Sequence, residues 1–345
     1  KESFNGQIIH PQHWPEELEY TGKKVVIIGS GATAVTLLPA MAKTASHVTM
    51  LQRSPTYIMA LPDTDKIAIL MEKLMPKSWV FKLTRKRNML IQRGLYLASM
   101  RWPNAMRNFL LKQVRKQLGP QVDMRHFTPN YFPWEERLCA APDGDFFASI
   151  RDGKASVVTD NIASFTDEGI QTKSGEIIKA DIIVTATGLD LQMMGGLEMR
   201  IDGKLTQLSE KMTYKSIMIQ DIPNFTWIFG YTNAPWTLKC DIAGRYVCRL
   251  IKHMEANQMT VATPKDSKDS TMAIGVLDTF APGYIQRAKH LMPRQGREGP
   301  WKILMHYEKD KNVLLKKPIT DGVLQFESAK SQTKPHDQDS LDAVV

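Results

Sequence analysis

The sequence predicts an α/β chain, and three observations carry that reading. A β-branched run at residues 24–29 (KVVIIG) ends in glycine, the pattern of a strand buried on both faces of a parallel sheet. A glycine-rich turn follows at once and leads into residues with helical spacing. Strand-like and helix-like patterns then alternate through the second half of the chain, the order from which parallel sheets are built.

Taken in order, residues 24–29 form the first strand, 32–43 a helix and 47–51 the next strand. Residues 66–116 read as two or three amphipathic helices broken near Pro76 and Pro103, because proline cannot continue a helix. Apolar residues recur there at helical spacing, as in Leu90 with Tyr96 and Leu97 and in Met106 with Leu110 and Leu111. Thirteen Lys and Arg residues in this stretch face a single acid, Glu72. Residues 156–160, 169–173, 176–178 and 181–185 read as strands, 225–229 as another, and 238–255 as a helix. The expected organisation is a linker at 1–22, a dinucleotide-binding domain at 23–155 with a helical insertion at about 64–128, a second domain at 156–328, and a polar, disordered tail at 329–345.

Composition narrows the function. Of 345 residues, 43% are hydrophobic, enough for a sizeable core and too many for a disordered chain. Three cysteines, Cys139, Cys240 and Cys248, do not make a disulfide scaffold, and none is spaced as CxxC, which argues against structural zinc and for a reducing, cytoplasmic setting. No apolar run approaches the ~20 residues of a membrane span. The net charge of +9 permits an anionic partner. No nucleic-acid motif accompanies it. The basic stretch at 66–116 reads first as a solvated helical face and second as a contact for a membrane surface.

The glycine-rich turn is Gly29-Ser30-Gly31-Ala32-Thr33-Ala34, a GxGxxA pattern between a strand and a helix. The first glycine makes the tight turn, the second lets backbone approach a pyrophosphate, and the alanine keeps helix and sheet close. The phosphates then face the free N–H groups of the helix N-terminus. A site for NAD places a carboxylate about 20 residues further on. Here no acid occurs from Lys23 to Pro62, and the next strand ends in Gln52-Arg53-Ser54. A guanidinium binds a 2′-phosphate that a carboxylate would repel. The dinucleotide is therefore read as NADPH, with Arg53 its main 2′-phosphate ligand and Gln52 and Ser54 as helpers.

Upstream stands Phe4-Asn5-Gly6-Gln7-Ile8-Ile9-His10-Pro11-Gln12-His13-Trp14-Pro15, which fits FxGxxxHxxxWP at Phe4, Gly6, His10, Trp14 and Pro15. With this fingerprint before a GxGxxA turn, the chain resembles the flavin-dependent Baeyer–Villiger monooxygenases. Segments such as HVTMLQRSPTY, ADIIVTATGL and GYTNAPWTLK make it most similar to the ethionamide-activating type of mycobacteria. The resemblance runs from Phe4 to about Trp301. It implies FAD and NADPH as cofactors, and a Rossmann-like NADPH domain joined to the C-terminal part of an FAD domain. The family carries two dinucleotide motifs and this chain one. Together with a start at Lys1 that lacks an initiator Met, this points to a C-terminal fragment without the FAD motif.

The resemblance also implies roles. Arg137 matches the family's active-site arginine, which stabilises the C4a-peroxyflavin and the ketone adduct. Relatives often place Lys before it, whereas this chain has Glu136. Thr187 and Gly188 match a strand end near FAD, and Asn233 and Trp236 lie in a turn near the flavin ring. His10 is read as part of a linker between domains, and Trp14-Pro15 as a stiff hinge. The implied reaction inserts one oxygen atom from O₂ into a ketone, or oxidises a thioether or thioamide at sulfur. The alternatives are an N- or S-oxygenating flavin monooxygenase, or a non-catalytic module that binds NADPH or a membrane surface.

Overall fold

The structure is a computed structural model that describes residues 3–136, 138–267, 271–276 and 283–328. The chain divides into two compact units. One comprises residues 1–190 with 280–284, and the other 191–279 with 285–345.

The first unit is built on a five-stranded, all-parallel sheet. Its strands are β1 (Gln7–Ile9), β2 (Lys24–Ile28), β3 (His47–Gln52), β6 (Ala155–Thr159) and β10 (Ile182–Thr185), in the order β1-β10-β2-β3-β6. Side chains along the central strands alternate between two faces, both buried. Val25 and Ile27 of β2 and Ile182 and Val184 of β10 join one core, which α1 (Ala32–Met41) enters with Ala34, Val35 and Leu38 and α5 (Asp145–Arg151) with Phe146 and Phe147. Val26, Ile28 and Ile183 join a second core on the opposite face. A three-stranded antiparallel sheet covers that face with Ile170 and Ile178; its strands are β7 (Ile162–Thr166), β8 (Gly169–Thr172) and β9 (Ile177–Lys179). Two covered faces explain the unbroken β-branched runs in the sequence.

Between β3 and β6 the chain makes a second parallel pair, β4 (Tyr57–Leu61) with β5 (Leu138–Pro142). Three helices lie between these two strands: α2 (Lys66–Glu72), α3 (Lys77–Arg101) and α4 (Pro103–Leu118). They break where the prolines predict. Pro76 caps α3 and Pro103 is the first residue of α4, a position where its missing N–H is harmless. α4 buries Leu110, Val114 and Leu118, whereas the much longer α3 buries only Val80 and Ser99.

The second unit centres on the 21-residue helix α6 (Trp236–Ala256). Ile242, Ala243, Tyr246 and Leu250 of α6 pack with Tyr214, Met218, Trp301 and Leu314.

Two expectations change. The boundary expected at 155/156 lies at 190/191, because β6 and β10 pair in register with β3 and β2 and are part of the same sheet. Residues 225–229, read as a strand, form one isolated bridge, Thr226 with Met218. The neighbouring backbone accounts for this: Lys215 and Ser216 take positive φ of 51° and 55°, so the pairing is irregular, with Trp227 and Phe229 N–H donating to the Ile217 and Ser216 carbonyls at 2.7 and 3.3 Å. The tail expected at 329–345 lies outside the described residues.

Candidate functional site

β2 delivers the chain into the GxGxxA turn. Gly29 has φ of +127°, and a Cβ there would stand 2.3 Å from the Ala186 carbonyl oxygen, so only glycine fits. This close approach brings the end of β10, and with it Thr187 and Gly188, beside the turn. Gly31 differs. Its φ of −78° suits any residue, and among the described residues no atom beyond its own chain neighbours lies within 4 Å of where its Cβ would be. The fold does not require this glycine; the open space over it is what a closely approaching ligand needs.

Gly31 caps α1 with no side-chain hydrogen bond. Its carbonyl accepts from Val35 N–H at 3.0 Å. The preceding N–H groups of Ala32, Thr33 and Ala34 belong to the first turn, where a helix supplies no acceptors. Ala32 and Thr33 are exposed, while Ala34 is fully buried under the helix. Exposed donors and the positive end of the helix dipole make an anion cradle.

The end of β3 lies beside this cradle, because the Ser30 hydroxyl donates to the Ser54 carbonyl at 3.1 Å. Arg53 is exposed, and no hydrogen bond or ion pair among the described residues engages its guanidinium. Gln52 points the other way. It is 1% exposed, and its Nε2 donates to the His126 carbonyl at 2.7 Å and to Thr159 Oγ1 at 2.8 Å. Both amide hydrogens are thus in use, which corrects the reading of Gln52 as a phosphate helper: it anchors the strand end. The His126 imidazole bonds the same Thr159 hydroxyl at 2.7 Å, and burial, then the Arg125 charge, holds its pKa below the usual histidine value.

The fingerprint forms a clamp. Phe4 is buried in the second core, and Gly6 leaves room for its ring and for the Asp181 carbonyl. His10 accepts from Gln12 N–H through Nδ1 at 3.2 Å, which puts the ring proton on Nε2, from where it donates to the Gly188 carbonyl at 3.2 Å. Gln12 then pairs with both backbone groups of Asp190, at 3.1 and 3.4 Å. Trp14 packs against the first core, and the Pro15 carbonyl accepts from Leu18 N–H in a turn. Both His10 nitrogens are thus occupied, Nε2 by the loop at Gly188 and Nδ1 by the Gln12 backbone.

Arg137 lies outside the described residues. The segment before it is closely braced. Tyr57 donates its hydroxyl to the Tyr131 carbonyl at 2.7 Å and Tyr131 donates to Thr56 Oγ1 at 3.1 Å, while burial pushes the Tyr131 hydroxyl up to about 12. Phe132 N–H donates to the Glu135 carboxylate at 2.8 Å. Trp134 has φ of +75°, a strained backbone for an aromatic residue, with its ring edge-on to Tyr96.

In the second unit, the turn carrying Asn233 and Trp236 is fixed by packing. Asn233 Nδ2 donates to the Met305 carbonyl at 3.1 Å, and the Trp236 ring meets Phe229 at 5.8 Å. Two buried lysines nearby are absent from the sequence reading. Lys239, 1% exposed, donates to Asp310 at 2.9 Å, and Tyr231 donates to the same oxygen at 2.8 Å. Lys215 pairs with Asp321 at 2.9 Å, where Tyr214 donates at 2.7 Å. Burial holds Lys239 below the usual lysine value. For Asp321, burial works upward, but the Tyr214 hydroxyl and Lys215 outweigh it and leave the carboxyl below its usual range. The available signal was Lys239 itself, which shares the apolar stripe of α6 with Ile242, Ala243 and Tyr246.

Comparison with known proteins accords with this geometry. The Flavin-binding monooxygenase-like (FMO-like) family matches residues 1–193. A putative FAD-containing monooxygenase of Mycobacterium tuberculosis, MymA, is 57% identical over 330 residues, 94% of this chain and 67% of that protein. The FAD-containing monooxygenase EthA of Mycolicibacterium smegmatis is 45% identical over 327 residues, 94% of this chain and 66% of that protein. The chain thus spans about two thirds of the length of these relatives. Among solved structures, a cyclohexanone monooxygenase mutant from Rhodococcus sp. Phi1 bound to NADP⁺ shares the fold, with a TM-score of 0.64 and 18% identity over 95% of this chain and 71% of that one. OTEMO in complex with FAD and NADP does so with a TM-score of 0.57 and 21% identity, over 76% of this chain and 58% of that one. No helix among the described residues is long and apolar enough to cross a membrane. Fingerprint, dinucleotide turn and close relatives agree: the chain belongs to the flavin-binding monooxygenase-like family.

Proposed function

We propose that this chain provides the NADPH-binding part of an FAD- and NADPH-dependent monooxygenase that inserts one atom of O₂ into ketones, giving esters or lactones, or oxygenates the sulfur of thioethers and thioamides. The observation that carries the reading is the pairing of Gly31, open and needed by nothing in the fold, with Arg53, an exposed guanidinium at the adjoining strand end with no partner among the described residues. These features fit a phosphorylated dinucleotide. The N–H groups of Ala32 and Thr33 hold its pyrophosphate, and Arg53 binds the 2′-phosphate. Gln52 and the Ser30–Ser54 bond keep the two subsites in register. The clamp of His10 and Gln12 fixes the loop at Gly188 and Asp190 beside the turn.

FAD supplies the oxygen-transfer chemistry when bound. Among the described residues there is no second strand–glycine–helix turn for its pyrophosphate, so the described geometry supports the NADPH part of the reading alone. By the resemblance to flavin monooxygenases, Thr187, Gly188, Asn233 and Trp236 are each proposed as flavin-side residues. Arg137 is the proposed catalytic group: its fixed charge offsets negative charge that develops on oxygen during transfer. The experiment is a chimera that joins this chain to the part of a curated relative that it does not span. Supplied with FAD, NADPH and a cyclic ketone or a thioether, it is expected to form ester or sulfoxide. Arg137→Ala is expected to leave NADPH-driven flavin reduction intact and to lower oxygenation by roughly 10²-fold or more. Full oxygenation in that variant removes Arg137 from the site.

A further inference from the structure

The long helix α3 has a face that the described residues leave uncovered. Trp79, Leu83, Leu90 and Leu97 follow one another at intervals that place them within about 40° on a helix of 3.6 residues per turn. They are 61%, 43%, 62% and 51% exposed. The neighbouring α2 carries Leu70, and the turn after it Leu74, 60% and 77% exposed. A contiguous exposed apolar stripe of this kind marks an interaction surface. Lys82 and Lys86, both exposed, border the stripe, and the segment 66–116 carries thirteen cations against one acid.

Charge decides what covers the stripe. A second copy docking face to face would set this cationic surface against itself, since a two-fold interface pairs the same patch on both subunits. A solvated face would not carry four large apolar side chains in one row. An anionic bilayer satisfies both features, taking apolar side chains between acyl chains and cations at headgroup phosphates. Trp79 suits the water–hydrocarbon boundary. We propose that α3 is a docking surface for a membrane rich in anionic lipid, lying in the interface plane with its Trp79–Leu83–Leu90–Leu97 stripe inserted. This inference is independent of the cofactor reading.

Flotation of the full chain with phosphatidylcholine vesicles, with and without phosphatidylglycerol, tests it. The chain is expected to float with the anionic vesicles and not with the neutral ones, and to bind less as salt rises. Lys82→Gln with Lys86→Gln is expected to weaken binding roughly 25-fold, from about fivefold per cation. Leu90→Ser with Leu97→Ser, both at exposed positions, is expected to weaken it at least about tenfold with an unchanged circular dichroism spectrum. Absence of flotation at low salt, equal binding to both vesicle types, or undiminished binding of the leucine variant overturns the proposal. So does a dimer in sedimentation velocity that the leucine variant abolishes while vesicles remain unbound.

Discussion

Gln52 and Arg53 are adjacent, yet they do opposite things because a strand alternates its side chains between faces. The sequence singles out Arg53 as the candidate 2′-phosphate ligand, since the whole stretch from Lys23 to Pro62 is free of acids. It does not show Gln52's role, because the groups that take up its amide, the His126 carbonyl and Thr159, come from positions 74 and 107 residues further along. The same network makes a pH prediction. The folded state holds His126 below its ordinary pKa, chiefly by burial, so between that lowered value and about 6.5 the unfolded chain binds the extra proton. Stability is therefore expected to fall as pH drops below about 6.5. Denaturant midpoints across this range check it, and His126→Gln should flatten the dependence; an unchanged slope in that variant would assign the effect to another group. Lys215 and Lys239 were not legible as buried pairs, because Asp321 and Asp310 lie 106 and 71 positions away.

At the level of elements, β2, α1, β3 and the proline-delimited helices were legible because each is signalled locally by a β-branched run, a glycine turn or a proline. The pairing of β4 with β5 was not, since about 80 residues separate the two strands. Residues 225–229 misled because their pattern is strand-like, while the backbone beside them at Lys215 and Ser216 is left-handed. The dinucleotide turn offers a paired test. Gly31→Val adds a side chain where nothing of the protein stands, so fold and melting temperature are expected to persist while NADPH binding is lost. Gly29→Ala forces a Cβ into the Ala186 carbonyl at a positive φ and is expected to destabilise by about 1–3 kcal/mol. Calorimetric melting and a binding titration on each variant check the contrast. Equal destabilisation by both would mean that Gly31 serves the fold after all.

For the molecule as a whole, the sequence separates a dinucleotide-binding part from a second part but draws the line too early. The reason is topological: β10 follows a three-stranded antiparallel sheet in sequence yet returns to pair between β1 and β2. Nothing local in a run such as DIIVTATGL says which sheet receives it. The return is what carries Thr187 and Gly188 to the GxGxxA turn and lets one fingerprint strand, β1, close the sheet edge. The account's central claim is that this arrangement selects a 2′-phosphorylated dinucleotide through Arg53. The most direct measurement is isothermal titration of the chain and of Arg53→Ala with NADPH and with NADH. NADPH is expected to bind the unaltered chain at least about tenfold more tightly. Arg53→Ala is expected to remove about 1.5–3 kcal/mol of NADPH affinity and to leave NADH unchanged. Equal binding of both dinucleotides by the unaltered chain, or equal losses for both on substitution, would contradict it.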